Sequence, residues 1–336
     1  YNNIVYTKEV LMKQKKLISL ALASILLLSG CSSKTVQKDG KDVVASIDDV
    51  SLLADDLYQD LASSTQGKQA LFSYVLDQLI RHNFPANDDM EENADEIVEN
   101  IETNYQNQYG DSAEEELQSA LEASGVEDLD EYRDSLIQSL QYAEFLKDYI
   151  NDHFDEVFED YYQQASPRMV HIIKVSMSDP ENPTNEENDK LKEVQSLLKT
   201  NKSFEDIAYD YSDDENTKSA KGSLGIIDAN TDLSSTYGEK VQTAARTLKE
   251  GEVSEAIQGS DGVYFVKCTN TDQESIKKEL KTVDVDSPLL TYDDYMVYLA
   301  FNTYEINYHD DTIKQTIQDI VDENLDIRND LRKENS

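Results

Sequence analysis

Met169-Val170-His171-Ile172-Ile173-Lys174-Val175 is a short apolar run with one histidine inside it. Its density of Val and Ile favours an extended strand over a helix. The chain holds four histidines, and His171 is the one set within a strand-like segment. A second such run, Val263-Tyr264-Phe265-Val266-Lys267-Cys268, follows downstream. The two strands bracket a block whose pattern differs from its surroundings.

Inside the block the order reads strand, helix, helix, helix, strand. Leu191, Val194, Leu197 and Leu198 recur at helical spacing. A second helix is expected to start at Ser203, an N-cap residue type, and to carry Phe204, Ile207, Ala208 and Tyr211. The third holds Val241, Ala244, Ala245 and Leu248 and stops before Gly251. Gly222 and Gly225 flank Ser223-Leu224 and read as a turn into a short strand with Ile226-Ile227.

On both sides of the block the period is helical. Leu53, Leu57 and Leu61 form one stripe; Leu71, Val75, Leu76, Leu79 and Ile80 form the next. Ile97, Ile101 and Tyr105 give a third, Leu117 and Leu121 a fourth, and the series from Leu129 to Ile150 a long fifth. Such one-sided helices must pack on one another, and each stripe reads as ordinary core. Before them, Val43–Ile47 is expected to make one short strand. After the block, Ile313, Ile317, Ile320 and Val321 mark a further helix. The expected fold class is α+β, a mainly helical lobe built from N- and C-terminal segments, with a compact α/β domain inserted. The expected divisions are 1–30 (leader), 31–165 (tether and N-terminal helices), 166–272 (inserted domain) and 273–336 (C-terminal helices docking on the N-terminal lobe).

The N-terminus has its own grammar. Lys13, Lys15 and Lys16 precede an apolar stretch from Leu17 to Leu28, too short to span a bilayer but suited to a secretory leader. Leu28-Ser29-Gly30-Cys31 follows, resembling a bacterial lipobox, which implies cleavage before Cys31 and lipidation of its thiol. Met12 is the expected start, with residues 1–11 an upstream extension. With Cys31 lipidated, Cys268 has no intramolecular partner and reads as a small buried strand residue. The 69 acidic against 30 basic residues give a net charge of -39. That surface repels nucleic acid and leaves basic or unfolded polypeptides and divalent cations as compatible partners.

Five short motifs stand in order across the central block. They are Val170-His171-Ile172-Ile173-Lys174-Val175; Phe204-Glu205-Asp206-Ile207-Ala208 followed by Tyr211-Ser212-Asp213-Asp214; Lys221-Gly222-Ser223-Leu224-Gly225; Leu248-Lys249-Glu250-Gly251-Glu252-Val253-Ser254; and Gly262-Val263-Tyr264. Together they resemble the parvulin-type peptidyl-prolyl isomerases. With the lipobox and the helices on both sides, the mature chain resembles the PrsA foldase lipoproteins of Gram-positive bacteria. In that family a parvulin domain is inserted in a chaperone lobe related to SurA and trigger factor.

The resemblance implies an extracytoplasmic foldase, lipid-anchored to the cell membrane, that assists secreted polypeptides and isomerises X-Pro bonds. It allows a homodimer. The barrier to peptide-bond rotation is roughly 18–20 kcal/mol. No bond is broken in crossing it, so neither cofactor nor metal is expected. What is needed is an apolar hold on the proline ring and polar groups that favour the twisted amide. By the resemblance, His171 matches the first of two site histidines, and Asp214 the acidic position that would orient its imidazole. Leu224 matches the pocket leucine. Tyr264 stands where the second histidine is expected, Val241 where the pocket carries phenylalanine, and Tyr237 near a methionine. These substitutions imply a thinner pocket and weak isomerase activity, with a purely holding chaperone as the alternative.

Other chemistries fit less well. Asp213-Asp214-Glu215 and Asp310-Asp311 lack the spacing of a calcium loop and read as solvated acidic faces. No Cys/His pattern suggests zinc, and no nucleophile elbow or phosphate loop occurs. A structural or ligand-binding lipoprotein remains an alternative, although no doubly wound α/β repeat supports it.

Overall fold

Asp39 and Gly40 both adopt positive φ, 54° and 79°, as a type I′ hairpin turn requires. They join β1 (Val36–Lys38) to β2 (Lys41–Ile47), and β3 (Val50–Leu53) pairs antiparallel with β2. The one short strand expected at Val43–Ile47 is therefore the middle of a three-stranded meander. This computed structural model describes residues 36–48, 50–284 and 287–334. The leader and the lipidation candidate Cys31 lie outside the described residues.

Five helices follow: α1 (Ala54–Ser63), α2 (Thr65–Asn83), α3 (Asp88–Tyr109), α4 (Ala113–Ala123) and α5 (Leu129–Asp152). Next come α6 (Phe154–Ala165), β4 (Arg168–Ser176), α7 (Asn185–Leu197), α8 (Phe204–Tyr211), α9 (Glu215–Lys218) and β5 (Ser223–Ile227). Then follow α10 (Ser234–Tyr237), α11 (Glu239–Thr247), β6 (Ile257–Gln258), β7 (Gly262–Asn270) and α12 (Gln273–Glu279). The last helices are α13 (Met296–Phe301) and α14 (Asp311–Glu334). Among the described residues, one compact unit joins the chain up to Tyr149 with the chain from Asp294 onward; the other is Ile150–Asp293.

The first unit is helical beyond its meander. Side-chain caps start its helices: Ser64 accepts from the Gly67 N–H and Asn87 from the Met90 N–H. Ala94, Ile101, Leu121, Tyr132, Leu136 and Ile137 join α3, α4 and α5 in one apolar cluster. Phe72 on α2 is fully buried, its ring 5.1 Å from Tyr298 and 5.0 Å from Phe301 of α13. Helix α14 packs against α2, and its Ile317, Ile320 and Val321 are buried. Leu57, expected in a packed stripe, is instead 44% exposed. Helix α1 gives its contacts to β2, β3 and α2 and turns Leu57 outward.

The second unit carries a four-stranded antiparallel sheet in the order β5-β4-β7-β6. Because side chains alternate along a strand, each strand feeds two faces. Val170, Ile172, Tyr264 and Val266 point to one face and pack with Tyr237, Val241 and Ala245 of α10 and α11. Ile173, Val175, Val263 and Phe265 point to the other and pack with Val194 of α7 and Phe204, Ile207 and Ala208 of α8. Helix α7 opens with a reciprocal capping box between Thr184 and Glu187. Ser203 caps α8 as expected, accepting from the Asp206 N–H at 3.1 Å. Cys268 is fully buried, and desolvation raises its thiol pKa.

The unit is wider than the 166–272 block. Helix α6, ended by Ser166 in the left-handed region and by Pro167, belongs to it, as does the segment through Asp293. The Tyr162 hydroxyl donates to the Thr271 carbonyl at 2.6 Å, and Lys277 pairs with Asp155 at 2.8 Å.

Candidate active site

The turn before β5 sets the geometry. Gly222 has φ 81°, and a Cβ there would stand 2.4 Å from the Ile172 carbonyl oxygen and 2.8 Å from the Ala208 Cβ. Only glycine allows this approach, which lets the Ile172 N–H donate to the Gly222 carbonyl at 2.7 Å. Leu224, one residue into β5, is thereby held half-buried against the Tyr264 face. Val241 (1% exposed), Tyr264 (2%) and Tyr237 (9%) form the floor beside it. The Tyr237 and Tyr264 rings meet edge to face at 5.9 Å. Gly259 makes room for Tyr264: a Cβ on it would lie 2.6 Å from the Tyr264 ring.

Two carboxylates that accept from hydroxyls border this face. The Tyr237 hydroxyl donates to Asp214 Oδ2 at 3.0 Å, and the Thr217 hydroxyl to the same oxygen at 2.7 Å. The Asp214 N–H donates to Ser212 Oγ, which also accepts from the Lys174 N–H, so the loop is stitched to β4. The Tyr264 hydroxyl donates to Asp261 Oδ1 at 2.6 Å. Lys174 pairs with Asp261 and lies 5.8 Å over the Tyr264 ring. Desolvation and the Asp261 carboxylate drive the Tyr264 phenol well above its ordinary pKa of 10.0, so it stays protonated. Burial pushes Asp261 up, but the Lys174 ammonium and the Tyr264 hydroxyl outweigh this and leave it lowered.

His171 is not on this face. In the β4–β7 register His171 lies opposite Lys267, and Tyr264 lies opposite Lys174, three residues further along β4. An odd spacing on one regular strand puts His171 with Ile173 and Val175, on the α8 side. There His171 Nδ1 is 3.0 Å from the Lys221 carbonyl oxygen. A carbonyl only accepts, so Nδ1 carries the proton and donates. Nearby, Lys267 pairs with Glu205 at 2.9 Å. Burial works to raise the Glu205 pKa, but Lys267, with His171 adding to it, lowers it overall.

The expected partnership of Asp214 with the His171 imidazole is therefore corrected. The Asp214 carboxylate serves Tyr237, Thr217 and the Asn216 N–H, not His171. Tyr264, expected as the second member beside His171, faces away from it and engages Asp261. Asp214, Leu224, Tyr237, Val241 and Tyr264 do come together; His171 does not join them. Sequence reading missed Lys174, Thr217, Gly259 and Asp261. Lys174 was recoverable, since it continues the alternation of Val170 and Ile172. Asp213 is held by Lys190 and the Ser176 N–H, and Asp310 caps α14 through the Thr312 and Ile313 N–H groups.

Comparison with known proteins fits this architecture. Residues 169–270 match the Rotamase family, described as a PPIC-type PPIASE domain. The β-sheet module is thus a parvulin-type peptidyl-prolyl isomerase domain inserted in a mostly helical chain. Foldase protein PrsA of Staphylococcus aureus is 28% identical over 316 residues, covering 90% of this chain and 92% of the relative. Foldase protein PrsA 2 of Bacillus cereus is 28% identical over 267 residues, covering 80% and 79%. The solved PrsA of Bacillus subtilis aligns at TM-score 0.40 and 23% identity, covering 83% of this chain and 98% of that one. Over most of its length the chain is thus similar to PrsA foldases, and residues 169–270 match the PPIC-type domain.

Proposed function

We propose that the chain is an extracytoplasmic foldase that holds unfolded, newly secreted polypeptides and isomerises X-Pro bonds slowly at the Tyr264 face. One observation carries this reading: within a PPIC-type domain, a rim leucine stands over an aromatic floor beside a carboxylate with two hydroxyl donors. Leu224 gives a proline ring an apolar contact, and the Asp214–Tyr237 and Asp261–Tyr264 pairs give fixed dipoles beside a twisting amide. Tyr264 and Val241 are almost wholly buried, so the floor is already filled. A proline ring rests on it rather than in it, which supports slow turnover. His171 acts on the other face as a strut, tying β4 to the turn at Lys221.

The test is cis–trans turnover of an X-Pro peptide by the full chain. Slow turnover is expected, falling about tenfold in Asp214→Asn and staying within about twofold in His171→Ala. Turnover abolished by His171→Ala would overturn the assignment of the site to the Tyr264 face. The filled floor also favours a second reading, a holding chaperone without isomerase activity; suppressed aggregation of an unfolded client with no turnover would establish it. In this reading Cys31 bears the lipid, so Cys31→Ala should release the chain from the membrane fraction. The charge of -39 favours basic clients, and client capture should weaken as salt rises. Sedimentation separates a monomer from the homodimer the family resemblance allows.

A further inference from the structure

A cleft of about 90 Å³ opens where β4 begins and β5 ends, walled by α6 and α11. Arg168 and Arg246 both line it. Arg168 sits six residues before Lys174 on β4, roughly 20 Å along the strand from the position opposite Tyr264. The cleft therefore lies at the opposite end of β4 from Tyr264, and it meets the cluster under that face only through Ile227.

Its electrostatics are unusual for so acidic a chain. Arg168 donates to the Leu248 carbonyl at 2.9 Å and Arg246 to the Thr231 carbonyl at 2.7 Å. Among the described residues neither guanidinium forms an ion pair, although the chain holds 69 acidic residues. Asp228 is in the wall, but its carboxylate is occupied. Oδ1 accepts from the Asn230 and Thr231 N–H groups and the Thr231 hydroxyl, and Oδ2 from the Tyr161 hydroxyl. The Arg246 Nε–H is buried and has no hydrogen-bond partner. A buried donor left unmatched costs stability unless a ligand or an ordered water supplies the acceptor. The backbone on the far side is already closed, with the Ala229 N–H donating to the Ala165 carbonyl at 2.9 Å.

We propose that this cleft binds a carboxylate, held by the forks of Arg168 and Arg246 and accepting the orphan Nε–H. A planar guanidinium matches a planar carboxylate with two parallel hydrogen bonds. The volume suits a group of a few heavy atoms and is well below that of a cofactor pocket. Such a carboxylate comes either from an acidic residue of a bound polypeptide or from a small free acid. The first would give the foldase a second grip, on acidic positions of a client.

The test follows arginine Nε–H resonances in the ¹⁵N-labelled full chain. It is titrated with acetate, with a glutamate-containing peptide amidated at its C-terminus, and with the glutamine version of that peptide. One Nε–H resonance should shift saturably with acetate and with the glutamate peptide, but not with the glutamine peptide. A glutamate peptide binding at least tenfold tighter than acetate assigns the polypeptide source; equal affinities assign the free acid. Arg246→Gln should abolish the response and leave X-Pro turnover unchanged, which keeps this site distinct from the Tyr264 face. Should that variant fail to fold, Arg246→Lys keeps the charge, loses the fork, and should bind about tenfold more weakly. No saturable shift in the wild type overturns the proposal, as does undiminished binding in a folded Arg246 variant. A stronger response to inorganic phosphate than to acetate overturns the carboxylate assignment.

Discussion

The two faces of the four-stranded sheet share every strand yet do different work. On one, Tyr264, Tyr237 and Asp214 form a polar-edged aromatic floor. On the other, His171 and the Lys267–Glu205 pair border an apolar cluster under α7 and α8. The difference comes from a parity: three residues separate His171 from Lys174, the partner of Tyr264, and an odd step crosses the sheet. A matched motif can therefore keep its residues while the fold divides them between faces.

The largest expected effect removes the distinction by loosening both faces. Gly222→Ala meets the Ile172 carbonyl and forces a left-handed φ on a β-carbon, costing about 3 kcal/mol in denaturant unfolding. A wild-type midpoint in that variant would show that the turn is not what holds β5 on β4. Next, Ile172→Ala and Ile173→Ala each empty a fully buried site and should cost about 3 kcal/mol. Their unfolding should look alike. X-Pro peptide binding should weaken for Ile172→Ala, which undercuts the Tyr264 floor, and hold for Ile173→Ala. Equal losses of binding would erase the comparison.

Asp214→Ala is smaller. It strands the Tyr237 and Thr217 hydroxyls, an expected cost of about 2 kcal/mol, and should alter near-UV circular dichroism. The chain has no tryptophan, so that signal reports its aromatic rings of Tyr and Phe. His171→Ala should leave the near-UV spectrum almost unchanged.

The smallest effect is on the His171 side, in the capping box of α7. Hydrogen bonds from Ser178 and Thr184 hold Glu187 at about 2, below its ordinary 4.5. With a lowered folded-state pKa, the unfolded state binds more protons between these values. The contribution is thus present above about 4.5 and lost as pH falls toward about 2. Glu187→Gln should flatten the acid side of the stability profile in that window; an unchanged profile would remove Glu187 from the account.

Local patterns made much of this legible. The alternation of Val170, Ile172, Tyr264 and Val266 marked the strands, Ser203 marked a helix start, and Gly222 marked a close turn. The Asp39-Gly40 hairpin was equally local and was overlooked, so one strand was expected where three pair. The site was legible only in part. Asp214, Leu224, Tyr237, Val241 and Tyr264 were named from motif positions, and they meet. Their hydrogen-bond partners were not legible, because Asp261 and Thr217 reach them through turns whose geometry no short pattern encodes. Pairing Asp214 with His171 failed because a motif orders residues along the chain without saying which side of a sheet each one occupies.

The sequence by itself determined the elements, the insertion of a sheet module between helical segments, and the parvulin-type class. Those follow from periodicity, caps and turn residues, which act over a few neighbours. Tertiary structure alone decided which face each polar side chain serves, that Tyr264 answers to Asp261 rather than to His171, and that two arginines in an acidic chain share a cleft without an ion pair of their own. Each depends on strand register and packing between segments far apart in sequence, and a shift of one residue in register would reverse it.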